Sequence, residues 1–225
     1  MARLLDLFCG AGGATKGYQL AGFYVVGVDL HPQPNHCGDE FYQADALTFP
    51  IDGFDAVAAS PPCQRHSRVA HLGKARNGSY PEHEGFIERT RERLVASGLP
   101  YVIENVVGAP LIDPITLCGS QFPPLRVYRH RLFECSFPCT APPHFPHKDR
   151  TPSAGNGVSP KGFISVCGSG GVKGLNAAQI VAKWSEAMGI DWMTRKELAQ
   201  AIPPAYTKYI GEQLMKYLAK GKTDE

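Results

Sequence analysis

Short apolar runs alternate with longer polar or amphipathic stretches through the first half of the chain. Apolar runs of this length are typical of buried strands in a parallel sheet, and the stretches between them are long enough for crossover helices. The pattern predicts strands at 4–8, 23–28, 54–59 and 100–104. It also predicts a helix around 81–96, where Glu and Arg recur at spacings that suit an exposed helical face.

The second half of the chain has a different composition. Residues 135–162 are dense in Pro, His, Gly and Ser, and residues 168–174 are rich in Gly, which indicates a lobe made mostly of loops. Helical periodicity then returns, and a final helix is predicted at 206–218, with Ile210, Leu214 and Leu218 on one apolar stripe. The predicted layout is therefore an α/β domain, a loop-rich insert and a helical return.

The composition is that of an ordinary globular protein. Of 225 residues, 43% are hydrophobic and 20% are charged, which excludes disordered, collagen-like and coiled-coil classes. The net charge of +2 decides little about nucleic acid, because DNA-binding proteins often confine their basic residues to one face. The apolar N-terminal run is interrupted by Asp6, unlike a signal peptide, and no apolar stretch is long enough to span a membrane. Seven cysteines then predict a cytoplasmic protein with free or metal-bound thiols.

Four polar or glycine-containing segments follow predicted strands. Ligands of open α/β sheets bind at the carboxyl ends of the strands, so these segments are expected to converge although they are scattered in sequence. They are Gly10-Ala11-Gly12-Gly13, Asp29, Pro61-Pro62-Cys63-Gln64 and Glu104-Asn105-Val106.

The first two segments predict a nucleoside pocket. Glycines let the backbone approach a ligand, but the dinucleotide and P-loop patterns are absent, since Thr15 and Tyr18 stand where those patterns need other residues. A glycine turn without any ligand is the alternative. Asp29, about twenty residues further on, favours a ligand, because a carboxylate at that place can accept both hydroxyls of a ribose.

The other two segments predict a nucleophile and an acid. Pro61 and Pro62 restrict the turn and hold the Cys63 thiol at the mouth of the expected site. Glu104 offers an acid at the end of the next strand, and Asn105 can fix a loop. A strand-end glutamate alone is more often a salt-bridge partner, so its catalytic interpretation depends on the thiol and the nucleoside pocket.

Cysteine and histidine residues elsewhere have two interpretations. Cys135, Cys139, His144 and His147 form either a tetrahedral zinc site in the insert or a proline-rich turn with incidental Cys and His. The close spacing of the two histidines and the nearby prolines favour the turn, and no metal is assigned to the functional site. Three further cysteines are expected to be small buried apolar residues: Cys37, Cys118 and Cys167.

Taken together, these segments resemble those of the cytosine-C5 DNA methyltransferases. The resemblance rests on four segments in the family's order: Asp6-Leu-Phe-Cys-Gly-Ala-Gly-Gly13, Pro61-Pro-Cys-Gln64, Glu104-Asn-Val106 and Arg129-His-Arg131. It implies the Rossmann-like α/β fold of S-adenosylmethionine-dependent methyltransferases, with a mostly parallel sheet. Residues 1–134 would form the catalytic and cofactor-binding domain, 135–177 a small target-recognition insert, and 178–225 a helical return that completes the catalytic domain.

The resemblance also implies the site residues. Asp29 would bind the ribose of S-adenosylmethionine, Asp45 would meet the adenine amino group, and the paired arginines would contact phosphate and target base. The implied cofactor-binding residues are Phe8, Gly10, Ala11, Gly12, Gly13, Asp29, Leu30, Asp45, Ala46 and Pro62. The implied catalytic residues are Cys63, Glu104, Asn105, Arg129 and Arg131.

The chemistry of cytosine methylation fits these roles. C5 of cytosine is a poor nucleophile, so the Cys63 thiolate first adds to C6 and turns the ring into an enamine. A proton or hydrogen bond from Glu104 to N3 stabilises that adduct, which requires a carboxyl pKa raised towards neutrality. Neither a metal nor a redox cofactor is required. The expected partner is double-stranded DNA, from which the base is flipped, and the basic stretch 65–76 suits its phosphates.

Three other functions compete with this one. The same chemistry on RNA is the nearest, since a tRNA-modifying branch of the family shares the nucleophile segment. A non-catalytic nucleic-acid-binding module on the same fold is the second, although Cys63, Glu104 and Arg131 are all present. A nicotinamide oxidoreductase would leave Pro-Pro-Cys-Gln unexplained. The short insert predicts a short or degenerate target site in nucleoid DNA, unless a second protein or a dimer partner adds recognition surface.

Overall fold

The computed structural model describes residues 1–62, 85–144, 146–147, 159, 162–168 and 174–221. Its strands are β1 (Arg3–Leu7), β2 (Tyr24–Asp29), β3 (Glu40–Gln43), β4 (Ala56–Ala59), β5 (Tyr101–Val106), β6 (Ile115–Leu117) and β7 (Arg131–Cys135). They form one seven-stranded sheet in the order β3-β2-β1-β4-β5-β7-β6. Only β7 runs antiparallel to its neighbours in this sheet. The predicted α/β class with a mostly parallel sheet is confirmed.

The four predicted strands correspond to β1, β2, β4 and β5. These central strands are buried on both faces, so each appears in the sequence as a nearly continuous apolar run. The apolar pattern of the sequence does not predict β3, β6 or β7. β6 has only three residues, and β7 mixes charged and apolar residues, so neither has the apolar run that identified the others.

Helices of the described residues cover the sheet: two of them lie between strands along the chain, and three follow residue 176. They are α1 (Gly13–Leu20), α2 (Phe86–Ser97), α3 (Ala177–Met188), α4 (Arg195–Gln200) and α5 (Pro204–Gly221). The helix predicted around 81–96 is α2, although residues 81–84 lie outside the described part. In the described residues, no helix has the length and apolarity needed to cross a bilayer.

The last helix packs against the first. Ile210 and Leu214 of α5 are fully buried in the same core as Tyr18 of α1, as the predicted apolar stripe requires. Thr207 at the start of α5 donates a hydrogen bond to the carbonyl of Ala14 at 2.8 Å. The C-terminal helix therefore holds the segment that follows β1.

A second core joins the remaining C-terminal helices to the glycine segment. Trp184 and Met188 of α3 and Leu198 of α4 pack with Val166 from the insert region and with Ala11. The C-terminal helices thus reach the carboxyl edge of the sheet, where the candidate site lies.

Candidate active site

The loop after β1 has an open side beside Asp29. The backbone N–H of Gly10 donates to the Asp29 carboxylate at 3.0 Å, which joins the ends of β1 and β2. Gly10 has a left-handed φ of 50°, and a Cβ built on it meets nothing within 4 Å. Phe8 also has a positive φ, of 60°, and is partly exposed. These two loop residues can border a ligand.

The rest of the glycine loop is packed inside the protein. Trp192 donates its indole N–H to the Ala11 carbonyl at 2.9 Å. A Cβ on Gly12 would lie 2.8 Å from the Cys37 sulfur, and one on Gly13 would lie 2.5 Å from the Ile202 carbonyl oxygen. Packing alone therefore explains these small residues, and their direct contact with a cofactor stays a prediction.

The ends of β2 and β3 supply the next predicted cofactor residues. Leu30 is 62% exposed beside Asp29, and its carbonyl accepts a hydrogen bond from Gln43 at 3.3 Å. Asp45 is exposed and accepts the N–H of Leu47 at 2.8 Å, so its carboxylate caps a turn. Ala46 is buried, and its carbonyl accepts a hydrogen bond from Arg93 at 2.7 Å.

Glu104 and Arg131 form the chemical centre of the described site. Nε of Arg131 lies 3.0 Å from Oε1 of Glu104, which is only 8% exposed. Burial raises the pKa of Glu104, while Arg131, a hydrogen bond with Ser60 and the nearby Arg129 oppose that rise. The carboxyl is therefore shifted towards its neutral form. Ser60 was missed by the sequence analysis, although it stands directly after β4.

Asn105 holds the segment that leads into Cys63. Its amide donates to the carbonyl of Pro61 at 2.9 Å, and its oxygen accepts the N–H of Val106 at 2.9 Å. The side chain is 1% exposed, so this bridge between the ends of β4 and β5 is shielded from water. Pro62 is the last described residue of the segment. Cys63 and the basic stretch 65–76 lie outside the described residues.

Arg129 has three partners within the protein. Its Nε, Nη1 and Nη2 donate to the carbonyls of Ala201, Val166 and Ala199 at 2.8, 2.6 and 2.9 Å. Burial lowers the pKa of Arg129 to about 9, with Arg131 adding to the shift, so the side chain stays charged at neutral pH. The guanidinium binds the backbone of the insert and of the C-terminal segment, and its contact with phosphate or base stays a prediction.

Asp6 is a buried acid to which the sequence analysis gave no role. Thr15 donates its hydroxyl to one carboxyl oxygen at 2.5 Å, and the other oxygen has no hydrogen-bond partner among the described residues. Burial raises the pKa of Asp6 to about 7, and the charges of Asp29 and Glu104 add to the rise. The charges of two neighbouring carboxylates thus act on the pKa of Asp6 at the carboxyl edge of the sheet.

The cysteines and histidines of the insert do not share one cluster. His144 and His147 lie with Cys118 and His130, and these four residues bring their ligand atoms within 4.8 Å of one another. Cys135 and Cys139 instead interact with each other and pack against the main core. The two cysteines and two histidines considered for zinc therefore do not form one site, whereas Cys118 is buried as predicted and its sulfur lies beside the histidines.

The chain is similar to bacterial methyltransferases over part of its length. It is 31% identical over 126 residues to the Type II methyltransferase M.AgeI of Thalassovita gelatinovora, covering 47% of this chain and 28% of that protein. It is 28% identical over 123 residues to the Type II methyltransferase M1.HphI of Haemophilus parahaemolyticus, covering 45% and 32%. The matches thus span about a third of the length of these curated relatives. No family model matches the chain.

Solved methyltransferase structures share the fold over nearly the whole chain. A putative DNA modification methyltransferase encoded within an E. coli prophage has a TM-score of 0.63 at 14% identity, covering 97% of this chain and 100% of that one. The Dnmt2 methyltransferase of S. pombe has a TM-score of 0.61 at 15% identity, covering 97% and 99%. At such identities the likeness establishes the fold alone: the Rossmann-like fold of S-adenosylmethionine-dependent methyltransferases.

Proposed function

We propose that the chain is an S-adenosylmethionine-dependent DNA (cytosine-C5) methyltransferase. The observation that carries the proposal is the ion pair between Arg131 and Glu104, 3.0 Å apart, beside the strand end that leads into Cys63. A buried carboxyl shifted towards its neutral form, with a cation next to it, suits the addition of a thiolate to cytosine. The two curated relatives, both named as Type II methyltransferases, support methyl transfer.

The residues that follow β1 and β2 fit S-adenosylmethionine. Open space beside Gly10 allows a ligand to approach the backbone closely. Each Asp29 oxygen accepts one backbone N–H, which leaves lone pairs for ribose hydroxyls, and the exposed Leu30 offers an apolar face to a purine. When bound, S-adenosylmethionine supplies an electrophilic methyl group for C5 of the base.

Glu104 and Arg131 have different roles in the proposed reaction of the target ring. In the proposed reaction Glu104 gives a proton to N3 of cytosine as the Cys63 sulfur bonds to C6, and its burial, which raises its pKa, favours the protonated form that this step needs. A free thiol is mostly protonated at neutral pH, so Cys63 needs a cation nearby, for which Arg131 is the candidate. After methyl transfer, a base takes the C5 proton, and the electrons of that C–H bond re-form the C5–C6 double bond as Cys63 leaves C6 as a thiolate. N3 returns its proton to Glu104, and the ring regains its aromatic character.

Asn105 and the basic stretch have supporting roles in this proposal. Asn105 fixes the Pro61 carbonyl and thereby the backbone that precedes Cys63. The target atom is hidden in duplex DNA, so the base must be flipped out at a cost of a few kcal/mol. The four basic residues of 65–76 are suited to hold the phosphates of the opened duplex.

The proposal is tested by the nucleoside that the purified chain produces. Duplex DNA and unmodified tRNA are incubated in separate reactions with methyl-labelled S-adenosylmethionine, and the digested nucleosides are analysed by mass spectrometry. We expect 5-methylcytosine in the DNA reaction. N4-methylcytosine or N6-methyladenine would contradict the C5 mechanism, whereas 5-methylcytosine in the tRNA reaction alone would make RNA the substrate.

Variants assign the roles of individual residues. Glu104→Gln should slow transfer by about 10²- to 10⁴-fold and still bind S-adenosylmethionine, because an amide cannot give a proton to N3. Cys63→Ser should abolish transfer, and the wild type should form a stable adduct with DNA that contains 5-fluorocytosine. Glu212→Gln, in an exposed ion pair with Lys208, is the matched control and should keep full activity.

A further inference from the structure

One thiol and three imidazoles converge at the edge of the sheet. The Cys118 sulfur lies 3.1 Å from Nε2 of His147, and that nitrogen lies 3.1 Å from Nε2 of His144. The His130 ring centroid is 5.2 Å from those of His144 and His147. One ligand atom from each of the four residues lies within 4.8 Å of all the others.

The sheet and the insert both contribute to this convergence. Leu117 of β6 pairs with Arg131 of β7, so the residues just outside the pairing, Cys118 and His130, come side by side. The two histidines of the insert arrive on a segment that Gln121 holds by donating to the carbonyl of Pro142 at 2.6 Å. Tyr128 stacks on the His147 ring with centroids 3.7 Å apart.

Nε2 of His147 has more polar neighbours than one ring nitrogen can hydrogen-bond fully. A ring nitrogen of a neutral imidazole carries either one hydrogen or one lone pair. Nε2 of His147 has both a thiol and a second imidazole nitrogen at 3.1 Å, so it cannot form a full hydrogen bond with both of them, and the Cys118 sulfur also lies 3.2 Å from the Ser120 hydroxyl. A cation at the centre accepts a lone pair from each of the four groups, which satisfies all of them together.

We propose that Cys118, His130, His144 and His147 bind one zinc ion. Thiolate and imidazole are the ligands that zinc prefers, and four protein ligands are typical of a structural site without an open position. Zn–N bonds of about 2.0–2.1 Å and one Zn–S bond of about 2.3 Å give ligand–ligand distances of roughly 3.3–3.6 Å in a tetrahedron. The ligand atoms now lie within 4.8 Å of one another, so the widest pair must approach by about 1.2–1.5 Å when the ion binds.

The zinc ion anchors the insert to the catalytic sheet. His130 stands between Arg129, which holds the insert and the C-terminal segment, and Arg131, which pairs with Glu104. A small loop-rich segment with little core of its own gains a fixed attachment from such an ion. This inference does not depend on the proposed methyl transfer.

The first test uses the untagged wild-type chain. Elemental analysis of protein grown with zinc should give one zinc ion per chain. After chelation and addition of cobalt, visible absorption should show the bands of tetrahedral cobalt together with a thiolate-to-cobalt charge-transfer band. Zinc far below one ion per chain, with no such cobalt spectrum, would overturn the site.

The second test assigns the ligands. Cys118→Ser should remove the charge-transfer band, and His144→Ala, at an exposed position, should weaken metal binding without removing buried side-chain volume. Cys139→Ser and His31→Ala are matched controls outside the cluster and should keep the metal. Circular dichroism confirms that each variant is folded. Equal metal content in all four variants, or loss in Cys139→Ser alone, would show that the ligand set is wrong.

Discussion

Arg131 reaches Glu104 diagonally across two antiparallel strands. In the register of β5 and β7, Arg131 lies opposite Val106, and its Nε is 3.0 Å from the carboxylate two residues earlier on the same face of β5. Burial favours the neutral form of Glu104 and the arginine favours the charged form, with burial the larger effect on the pKa. The pairing of these two strands therefore places beside Glu104 the arginine that limits the rise of its pKa.

Removal of the Arg131 charge should shift the activity profile to higher pH. If transfer requires protonated Glu104, activity falls as pH rises through the pKa of that group. Arg131→Gln removes the main influence that lowers this pKa, so the fall in activity should occur at a higher pH. The maximal rate should decrease. Single-turnover rates from about pH 6 to about 9 measure the limb.

The matched control for this profile is Arg89→Gln, at an exposed position of α2. It removes the same charge from the protein without touching the pair, so its falling limb should coincide with that of the wild type. A limb that stays in place or moves to lower pH in Arg131→Gln would mean that Glu104 is not the proton donor.

Asp6 should make the protein less stable as pH rises from about 4 to 7. Burial raises its pKa in the folded state to about 7 from a usual value of 3.8. Between these values the unfolded chain has released the proton and the folded chain has not, so each pH unit lowers the free energy of unfolding by about 1.4 kcal/mol. Above about pH 7 both states are ionised and this contribution becomes constant.

Asp6→Asn isolates this effect, because an amide cannot ionise and its oxygen can still accept the Thr15 hydroxyl. Urea denaturation at about pH 5 and about pH 7.5 should show the variant gaining about 1–3 kcal/mol on the wild type between the two conditions. Asp52→Asn, at an exposed position, should show no such gain. A difference between wild type and Asp6→Asn that is independent of pH would contradict the raised pKa.

Arg129 should matter for stability more than for DNA contact. A lysine offers one ammonium group and cannot reach three carbonyls on two segments, so Arg129→Lys should lower the free energy of unfolding by about 2–4 kcal/mol. The exposed Arg126→Lys is the control in urea denaturation. For the folded fraction, the slope of DNA affinity against salt should stay that of the wild type. A slope smaller by about one would indicate a lost phosphate contact.

The sequence predicted those strands of the sheet that are buried on both faces, because such strands appear as continuous apolar runs. β1, β2, β4 and β5 are central, so their apolar runs and the polar residues after them located the candidate site. Glu104 and Asp29 could be found in this way because the end of a buried strand can be recognised in a single sequence as the end of an apolar run. Short strands such as β6 carry no comparable pattern, and the relationships that depend on them were missed.

Two sets of contacts that the sequence did not predict have the same physical origin. Cys118 and His130 become neighbours through the register of β6 and β7, whereas sequence proximity suggested Cys135 and Cys139 as partners of the insert histidines. Arg129 binds backbone carbonyls, and every residue has a carbonyl, so no residue type marks such a partner. Local patterns predict elements and their ends, while contacts between distant segments depend on register.

Alanine substitutions of three glycines can distinguish a glycine that contacts the cofactor from one that is required only for packing. Gly10 and Gly98 both have a left-handed backbone, with φ of 50° and 68°, and a Cβ on either meets nothing within 4 Å. Alanine should cost each of them about 1–2 kcal/mol of stability for its backbone conformation. Gly13→Ala should cost more, because its Cβ would lie 2.5 Å from the carbonyl oxygen of Ile202.

Only Gly10→Ala should also weaken S-adenosylmethionine binding beyond its effect on folding. The added methyl group projects into the open space beside Asp29, where the proposed cofactor approaches the backbone, while Gly98 ends α2 away from that loop. Isothermal titration with S-adenosylmethionine, at a temperature where all variants are folded, should give a lower affinity for Gly10→Ala and the wild-type affinity for Gly98→Ala. Equal affinities in the two variants would mean that the space beside Gly10 is not where the cofactor binds.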